Sequence, residues 1–415
     1  MAVPRGMVIL GAGHTGGRAA HTLREAGWNG PVTLIGAEPS LPYERPSLSK
    51  GMLSGEKAPA DFALYPEGDY ARLDIVHLAA TAAVEIRRRP HEAVLTDGTV
   101  VGYDKLLIAT GAEPRRPAIP GADLVGVSVL RDIADAELLR RRIGPGKRLI
   151  VLGGGFIGLE VAAHAVSVGA DVVVVEAGPR LLMRAVPPEI EARMRARHEA
   201  AGVDIRLGRK LDAILGEGAV SGVRLDDGSE IAAEAVLIAI GIEPRVGLAV
   251  AAGLAVDNGI VVDRHLRTDD PDIFAAGDVC SFAHDLYGAH VRLESWKNAE
   301  EQGPIAARNM LGGNEIAASV PWMWSDQYEL TIQIAGFPDR AERVVAREAA
   351  PDALVLFHLA GGGRLVAASA VGPNATIGRI VRIGQMMIER GLRPDPRLLA
   401  DPGVNLKTLM REQAA

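Results

Sequence analysis

A chain of 415 residues is too long for one hydrophobic core and suits two or three domains. With 48% hydrophobic and 23% charged residues it has the composition of a soluble globular protein, and no apolar run approaches the roughly 20 residues of a membrane span. A formal charge of −7 without a basic patch among aromatics gives no support for nucleic-acid binding, and a single cysteine, Cys280, excludes both an internal disulfide and a Cys-x-x-Cys redox pair.

In chain order, Met1 to Gly6 lead straight into a predicted strand, Met7-Val8-Ile9-Leu10, leaving no room for a signal peptide, so a cytoplasmic location is expected. The strand hands over to Gly11-Ala12-Gly13-His14-Thr15-Gly16 and an alanine-rich, helix-like stretch. Glycine at these spacings permits a tight turn, close approach of backbone to a pyrophosphate, and close packing of helix on strand; the helix N-terminus adds N–H donors. A second apolar run, Val32 to Gly36, is followed by Glu38, where a carboxylate meets ribose hydroxyls. A buried-strand pattern, Lys105 to Ile108, then closes in Ala109-Thr110-Gly111 and a proline-rich exit.

The same series then recurs. Leu149 to Leu152 precede Gly153-Gly154-Gly155-Phe156-Ile157-Gly158, Val172 to Val175 precede Glu176, and Ala235 to Arg245 nearly copy the stretch around Gly111. Glu176 repels a 2′-phosphate and so favours NAD over NADP. Each glutamate also has a plainer reading, a solvated strand end. A third apolar strand, Asp272 to Val279, needs a sheet to join, which implies that the second doubly wound module is inserted into the first and puts Asp278 at the mouth of the first site. Beyond about residue 320, short alternating runs read as a smaller α+β domain, with Thr331 and Gln333 on a wet face opposite Leu330, Ile332 and Ile334 and a helical stretch from Ile377 to Glu389. Cys280 reads as a small buried hydrophobe and His14 as a solvent-facing turn residue, and the histidines show no metal spacing.

Several longer runs are more specific than any glycine motif: Leu41-Pro42-Tyr43-Glu44-Arg45-Pro46-Ser47-Leu48-Ser49-Lys50, Ala276-Gly277-Asp278-Val279, Glu294-Ser295-Trp296-Lys297-Asn298-Ala299 and Pro321-Trp322-Met323-Trp324-Ser325-Asp326-Gln327. With the two fingerprints and Glu160, their order resembles the NADH-dependent ferredoxin reductases of bacterial oxygenase systems, which are glutathione-reductase-like flavoproteins, over nearly the whole chain.

The resemblance implies an α/β fold of two doubly wound dinucleotide-binding domains plus a C-terminal α+β domain. Residues 1–110 and 241–320 would bind FAD, 111–240 would bind NAD(H), and 321–415 would form the third domain. It implies that Gly11, Gly13, Gly16, Glu38, Arg45, Lys50, Ala109, Thr110, Gly111, Arg131, Asp278 and Trp296 serve FAD. For NADH it points to Gly153, Gly155, Ile157, Gly158, Glu160, Glu176, Arg184 and Gly241, with Glu294 nearby. Lys50 would stabilise charge on the ring, Glu160 would keep that lysine oriented, and Trp324 would wall the flavin pocket on the partner side. Trp322, one strand period away and facing alternately, reads as packing.

Electrons would leave singly to a transiently bound two-iron two-sulfur ferredoxin. Arg379, Arg382, Arg390, Arg393 and Arg397 form either a docking face for it or an ordinary solvated helix face. Ala177, after Glu176, departs from a pattern in which a polar residue helps to select the ribose. Rubredoxin or another small acceptor remains an alternative, as does an NADH-sensing flavoprotein like the apoptosis-inducing-factor relatives. The oligomeric state is left open.

Overall fold

The computed structural model describes residues 3–412, which divide into two compact units. One comprises residues 3–46, 57–113 and 242–319, and the other residues 47–56, 114–241 and 320–412. The run from Ser47 to Glu56, which the sequence reading assigns to the first dinucleotide domain, packs with the second unit.

In the first unit the strand Val3–Leu10, which ends in the apolar run Met7 to Leu10, lies between two parallel partners, Val32–Ile35 and Val100–Ile108. The strand Ile273–Ala275 joins the far side of Val100–Ile108, also parallel, so the late apolar run completes the first sheet as its composition requires. Ile9, Leu34, Leu106, Leu107 and Ile273 are 0% exposed, which is why these strands read as continuous apolar runs rather than alternating ones. Registers pair Leu10 with Ile35 and Ile108, and Ile108 with Ala275. All four strands therefore stop at one level, and the segments beginning at Gly11, Gly36, Ala109 and Ala276 leave from the same edge. In doubly wound sheets that carboxyl edge is where ligands bind.

The second unit repeats the device. Its parallel sheet runs Asp204–Leu207, Asp171–Glu176, Arg148–Leu152, Ala235–Ile238, Val127–Ser128, with Leu152 level with Val175 and Ile238. The C-terminal part of the same unit is an antiparallel sheet, Trp322–Gln327, Leu330–Gly336, Leu365–Gly372, Ala353–Leu359, Arg343–Ala350, packed against the helix Asn374–Glu389. The expected wet face of Leu330–Gly336 is covered. Thr331 and Gln333 are 5% and 7% exposed, and they are satisfied by Asp326 at 2.8 Å and by Asn374 on the packed helix at 2.7 Å. Alternation in sequence reports polarity, and here the polar side faces other polar side chains instead of water.

Candidate functional site

At the first sheet edge, Gly11 has φ +113° and a side chain there would begin 2.2 Å from the Ala109 carbonyl oxygen, so only glycine makes the turn. A Cβ on Gly16 would sit 1.9 Å from the Gly11 carbonyl, which lets the helix His14–Glu25 press directly on the turn. Gly13 differs, because its nearest neighbour would be Arg45 Nη2 at 3.8 Å. It caps the helix with no side-chain hydrogen bond, leaving first-turn N–H groups beside a guanidinium. That open, positively lined cradle fits a dinucleotide pyrophosphate.

Glu38 and Arg45 are tied together, with Arg45 Nη2 donating to Glu38 Oε1 and the Tyr43 hydroxyl to Glu38 Oε2, both at 2.5 Å. Burial opposes charge on Arg45, but Tyr43, Glu38 and Asp278 together raise its affinity for the proton. Thr110 bonds the Arg245 carbonyl at 3.1 Å, with Ala109 and Gly111 flanking it at the same edge. Asp278 lies in the turn Gly277–Val279 that leaves the late strand. Trp296 donates to Glu44 at 3.2 Å and meets the His14 ring edge-on at 5.5 Å. His14 is no solvent-facing turn residue. It is 7% exposed and pairs with Glu300 Oε2 at 2.7 Å, because the helix Trp296–Met310, capped by Ser295, packs across the fingerprint helix. Glu294, also in this unit, pairs with Arg292 at 2.5 Å.

The second cradle has the same build. A Cβ on Gly153 would meet the Ala239 carbonyl at 2.4 Å, one on Gly158 the Gly153 carbonyl at 2.4 Å, and one on Gly155 nothing within 4 Å. Glu176 accepts from the N–H groups of Gly154 and Gly178, both at 2.7 Å, which aligns the carboxylate with the glycine loop while leaving lone pairs for a ribose. Arg184 Nη2 lies 3.4 Å from where a Gly241 side chain would begin, and Ile157 is 43% exposed at the helix start. Arg131 precedes the helix Ile133–Arg140, its N–H bonded to Asp135 within the Asp132 capping box.

Also in the second unit, Lys50, Glu160 and Trp324 come together. Glu160, in the second turn of the helix Phe156–Ser167, accepts from Ser49 Oγ at 2.5 Å and Ser325 Oγ at 2.6 Å. Lys50 Nζ is 3.9 Å from Glu160 but donates to Asp326 Oδ2 at 2.8 Å. Asp326 is therefore the nearer carboxylate partner of Lys50, and Glu160, within ion-pair reach, is the second. Trp324 Nε1 also donates to Asp326, at 3.0 Å, and Lys50 Nζ lies 5.1 Å from the Trp324 ring centre. Burial opposes charge on Asp326, yet the bonds from Lys50, Thr331 and Trp324 hold its carboxyl below the ordinary range. Burial pushes Glu160 up, against the pull of Lys50, Ser325 and Ser49. Trp322 does not face away from Trp324. Residues two apart share a strand face, and the indoles stack at 5.1 Å and 21°.

Asp326, Ser49 and Ser325 were missed as site residues, although the Pro-Trp-x-Trp-Ser-Asp-Gln and Ser-Lys runs carry them. Arg379, Arg382, Arg390, Arg393 and Arg397 are all exposed. Cys280 is buried, bonds Gln302 at 3.2 Å, and has its thiol pushed up to about 12 by burial, the opposite of a reactive thiolate.

Residues 5–303 match the family model described as pyridine nucleotide-disulphide oxidoreductase, and residues 322–410 match a reductase C-terminal model. The chain is 41% identical to the ferredoxin–NAD(+) reductase component of the anthranilate 1,2-dioxygenase system of Burkholderia cepacia, over 97% of this chain and 98% of that one. It is also 41% identical to a rubredoxin–NAD(+) reductase of Pseudomonas putida, over 82% and 89% of the respective chains. Among solved structures, the reductase of a covalent putidaredoxin reductase–putidaredoxin complex superposes with a TM-score of 0.94 at 34% identity, covering all of both chains.

Proposed function

Because the chain belongs to the pyridine nucleotide-disulphide oxidoreductase family, we propose that it carries electrons from NADH through FAD to a small two-iron two-sulfur ferredoxin serving a dioxygenase or haem monooxygenase. The family's cofactors are FAD and NAD(H), and both cradles fit a dinucleotide. The observation that carries the reading is the Lys50–Asp326–Glu160–Trp324 cluster, a charged and thiol-free group in a family otherwise associated with disulfide chemistry.

Bound FAD supplies hydride acceptance and one-electron release. The chain's own groups do the rest. Gly13 with Arg45 leaves room and positive charge for one pyrophosphate, and Gly155 leaves room for the other. Glu176 selects the ribose without a 2′-phosphate. Lys50, fixed by Asp326, supplies a positive charge that lowers the cost of placing electrons beside it. No general base is needed, since hydride transfer depends on alignment. Residues 1–110 and 241–320 serve FAD, 111–240 serve NADH, and 321–415 complete the reductase. The proposal includes a cytoplasmic location, as the sequence reading expects. Among the described residues no helix is long and apolar enough to cross a membrane.

A rubredoxin acceptor is a second reading, favoured by the similarity to the rubredoxin–NAD(+) reductase. Steady-state NADH oxidation, with a two-iron two-sulfur ferredoxin, a rubredoxin or no protein acceptor, separates the readings. Fast turnover with ferredoxin supports the proposal. Preference for rubredoxin reverses it, and slow reduction without stimulation by either points to an NADH sensor.

A further inference from the structure

Glu160 is the end of a longer line of polar side chains, all in the second unit. Ser325 Oγ donates to Glu160 Oε1 at 2.6 Å and accepts from Gln327 Nε2 at 3.0 Å. Gln327 Oε1 is 2.8 Å from His198 Nε2, and His198 Nδ1 is 3.0 Å from the Tyr328 hydroxyl. Ser325 and His198 are 0% exposed and Gln327 is 1%, so bulk water does not compete along the line.

While Glu160 is ionised, donor and acceptor counting leaves one arrangement. A carboxylate only accepts, so Ser325 gives it the hydroxyl proton and must itself accept from the Gln327 amide. The Gln327 carbonyl then needs a donor, which fixes the His198 proton on Nε2. The bare Nδ1 accepts from Tyr328. Every proton points toward Glu160, and hydrogen bonds aligned head to tail polarise one another.

The far end is a built feature. Tyr328 sits in the turn between Trp322–Gln327 and Leu330–Gly336 with φ +58°, a left-handed conformation that a bulky side chain rarely adopts. Contacts to the helix Pro188–Ala200 hold it there. The Arg197 guanidinium lies 3.9 Å from the Tyr328 ring centre and pairs with Glu329 at 2.7 Å, while His198 meets the ring edge-on at 5.0 Å.

We propose that His198 is a positioning residue for Glu160: through Gln327 and Ser325 it keeps this buried carboxylate ionised and directed to the Lys50 side of the cluster. The proposal rests on the reading of that cluster as the electron-transfer site, and adds that its charge is set from a helix of the dinucleotide-binding part. Other charges face both ends. Glu160 is faced by Lys50 and Asp326, with His164 one turn along its own helix, and His198 by Arg197, Tyr328 and Glu329. The strand Leu365–Gly372, which packs against the helix of His198, carries no charged residue. Burial, with Arg197, holds His198 below the ordinary histidine value, so the neutral tautomer persists.

The test is infrared difference spectroscopy of the holoenzyme across pH, following the carbonyl stretch of the protonated Glu160 carboxyl, assigned by its absence in Glu160→Gln. His198→Phe should raise the protonation midpoint by about one pH unit, a tenfold change. His198→Gln, whose amide replaces the Nε2 donor, should restore it. An unchanged midpoint in folded His198→Phe overturns the proposal, as does a shift that His198→Gln fails to rescue. If His198→Phe does not fold, Gln327→Met carries the same expectation, and an unmoved midpoint there is equally fatal. The band reports the proton on Glu160 and not turnover. The reading of the cluster fails separately, if Glu160→Gln oxidises NADH at the wild-type rate.

Discussion

The two kinds of glycine in each fingerprint should respond oppositely to a single methyl group. At Gly155 the added Cβ meets nothing within 4 Å, and the backbone angles of φ −86° and ψ 180° suit alanine. Gly155→Ala should therefore fold with stability within about 1 kcal/mol of wild type, since relief of unfolded-state entropy and loss of a good N-cap residue nearly offset each other. The methyl stands where the cradle is open for a pyrophosphate, and NADH affinity should fall at least about tenfold, 1.4 kcal/mol or more. FAD, which the proposal assigns to the other fingerprint, should stay bound. At Gly158 the Cβ would lie 2.4 Å from the Gly153 carbonyl and 3.0 Å from a Val151 methyl. Only a backbone shift relieves that, at roughly 1–3 kcal/mol or more. Chemical denaturation and titration with NADH read the two effects. A folded Gly155→Ala protein with wild-type NADH affinity refutes the assignment of that space to a ligand, and a Gly158→Ala protein as stable as wild type refutes the packing role of Gly158.

Three further outcomes are expected. Glu176→Gln should narrow the preference for NADH over NADPH by roughly ten- to a hundredfold in kcat/KM, and an unchanged ratio removes Glu176 from ribose selection. Lys50→Ala should slow flavin reduction by NADH on the order of a hundredfold, while Trp324→Ala leaves that step within a few fold and slows reoxidation by ferredoxin. Rapid mixing of each half-reaction checks this, and the opposite pattern reverses the two roles. His358 is 1% exposed with its value lowered to about 4 by burial, against 6.5 when unfolded. Acid between those values protonates only the unfolded chain, so its contribution is intact above pH 6.5 and falls by roughly 3 kcal/mol toward pH 4. His358→Gln should flatten the pH dependence of stability in that window, and an equally steep fall in the variant refutes the assignment.

The fold was legible because its determinants are local. Met7 to Leu10 and Leu149 to Leu152 are continuous apolar runs ending in glycine turns, and the orphan strand at Ile273–Ala275 betrays an inserted module. The cradles were legible for the same reason, since the backbone clashes at Gly16 and Gly158 are with Gly11 and Gly153 of the same motif. What escaped depends on tertiary partners far away in sequence. His14 is buried by Glu300, Lys50 finds Asp326, and His198 reaches Glu160 through Ser325 and Gln327. No periodicity in any one segment carries such pairings. Trp322 is a different case, for the two-residue strand period already requires it to share the face of Trp324, and the expectation that it faces away misapplied that period.

The most direct test of electron transfer from NADH through FAD to a ferredoxin is anaerobic stoichiometry. The yellow protein, in catalytic amount, is mixed with a known quantity of NADH and an excess of two-iron two-sulfur ferredoxin, and both absorbances are followed to completion. Two ferredoxins reduced for each NADH consumed, at a rate that rises with the reductase, is the expected result. A flavin that bleaches with NADH yet leaves the ferredoxin oxidised, or a protein that cannot be loaded with FAD, contradicts it.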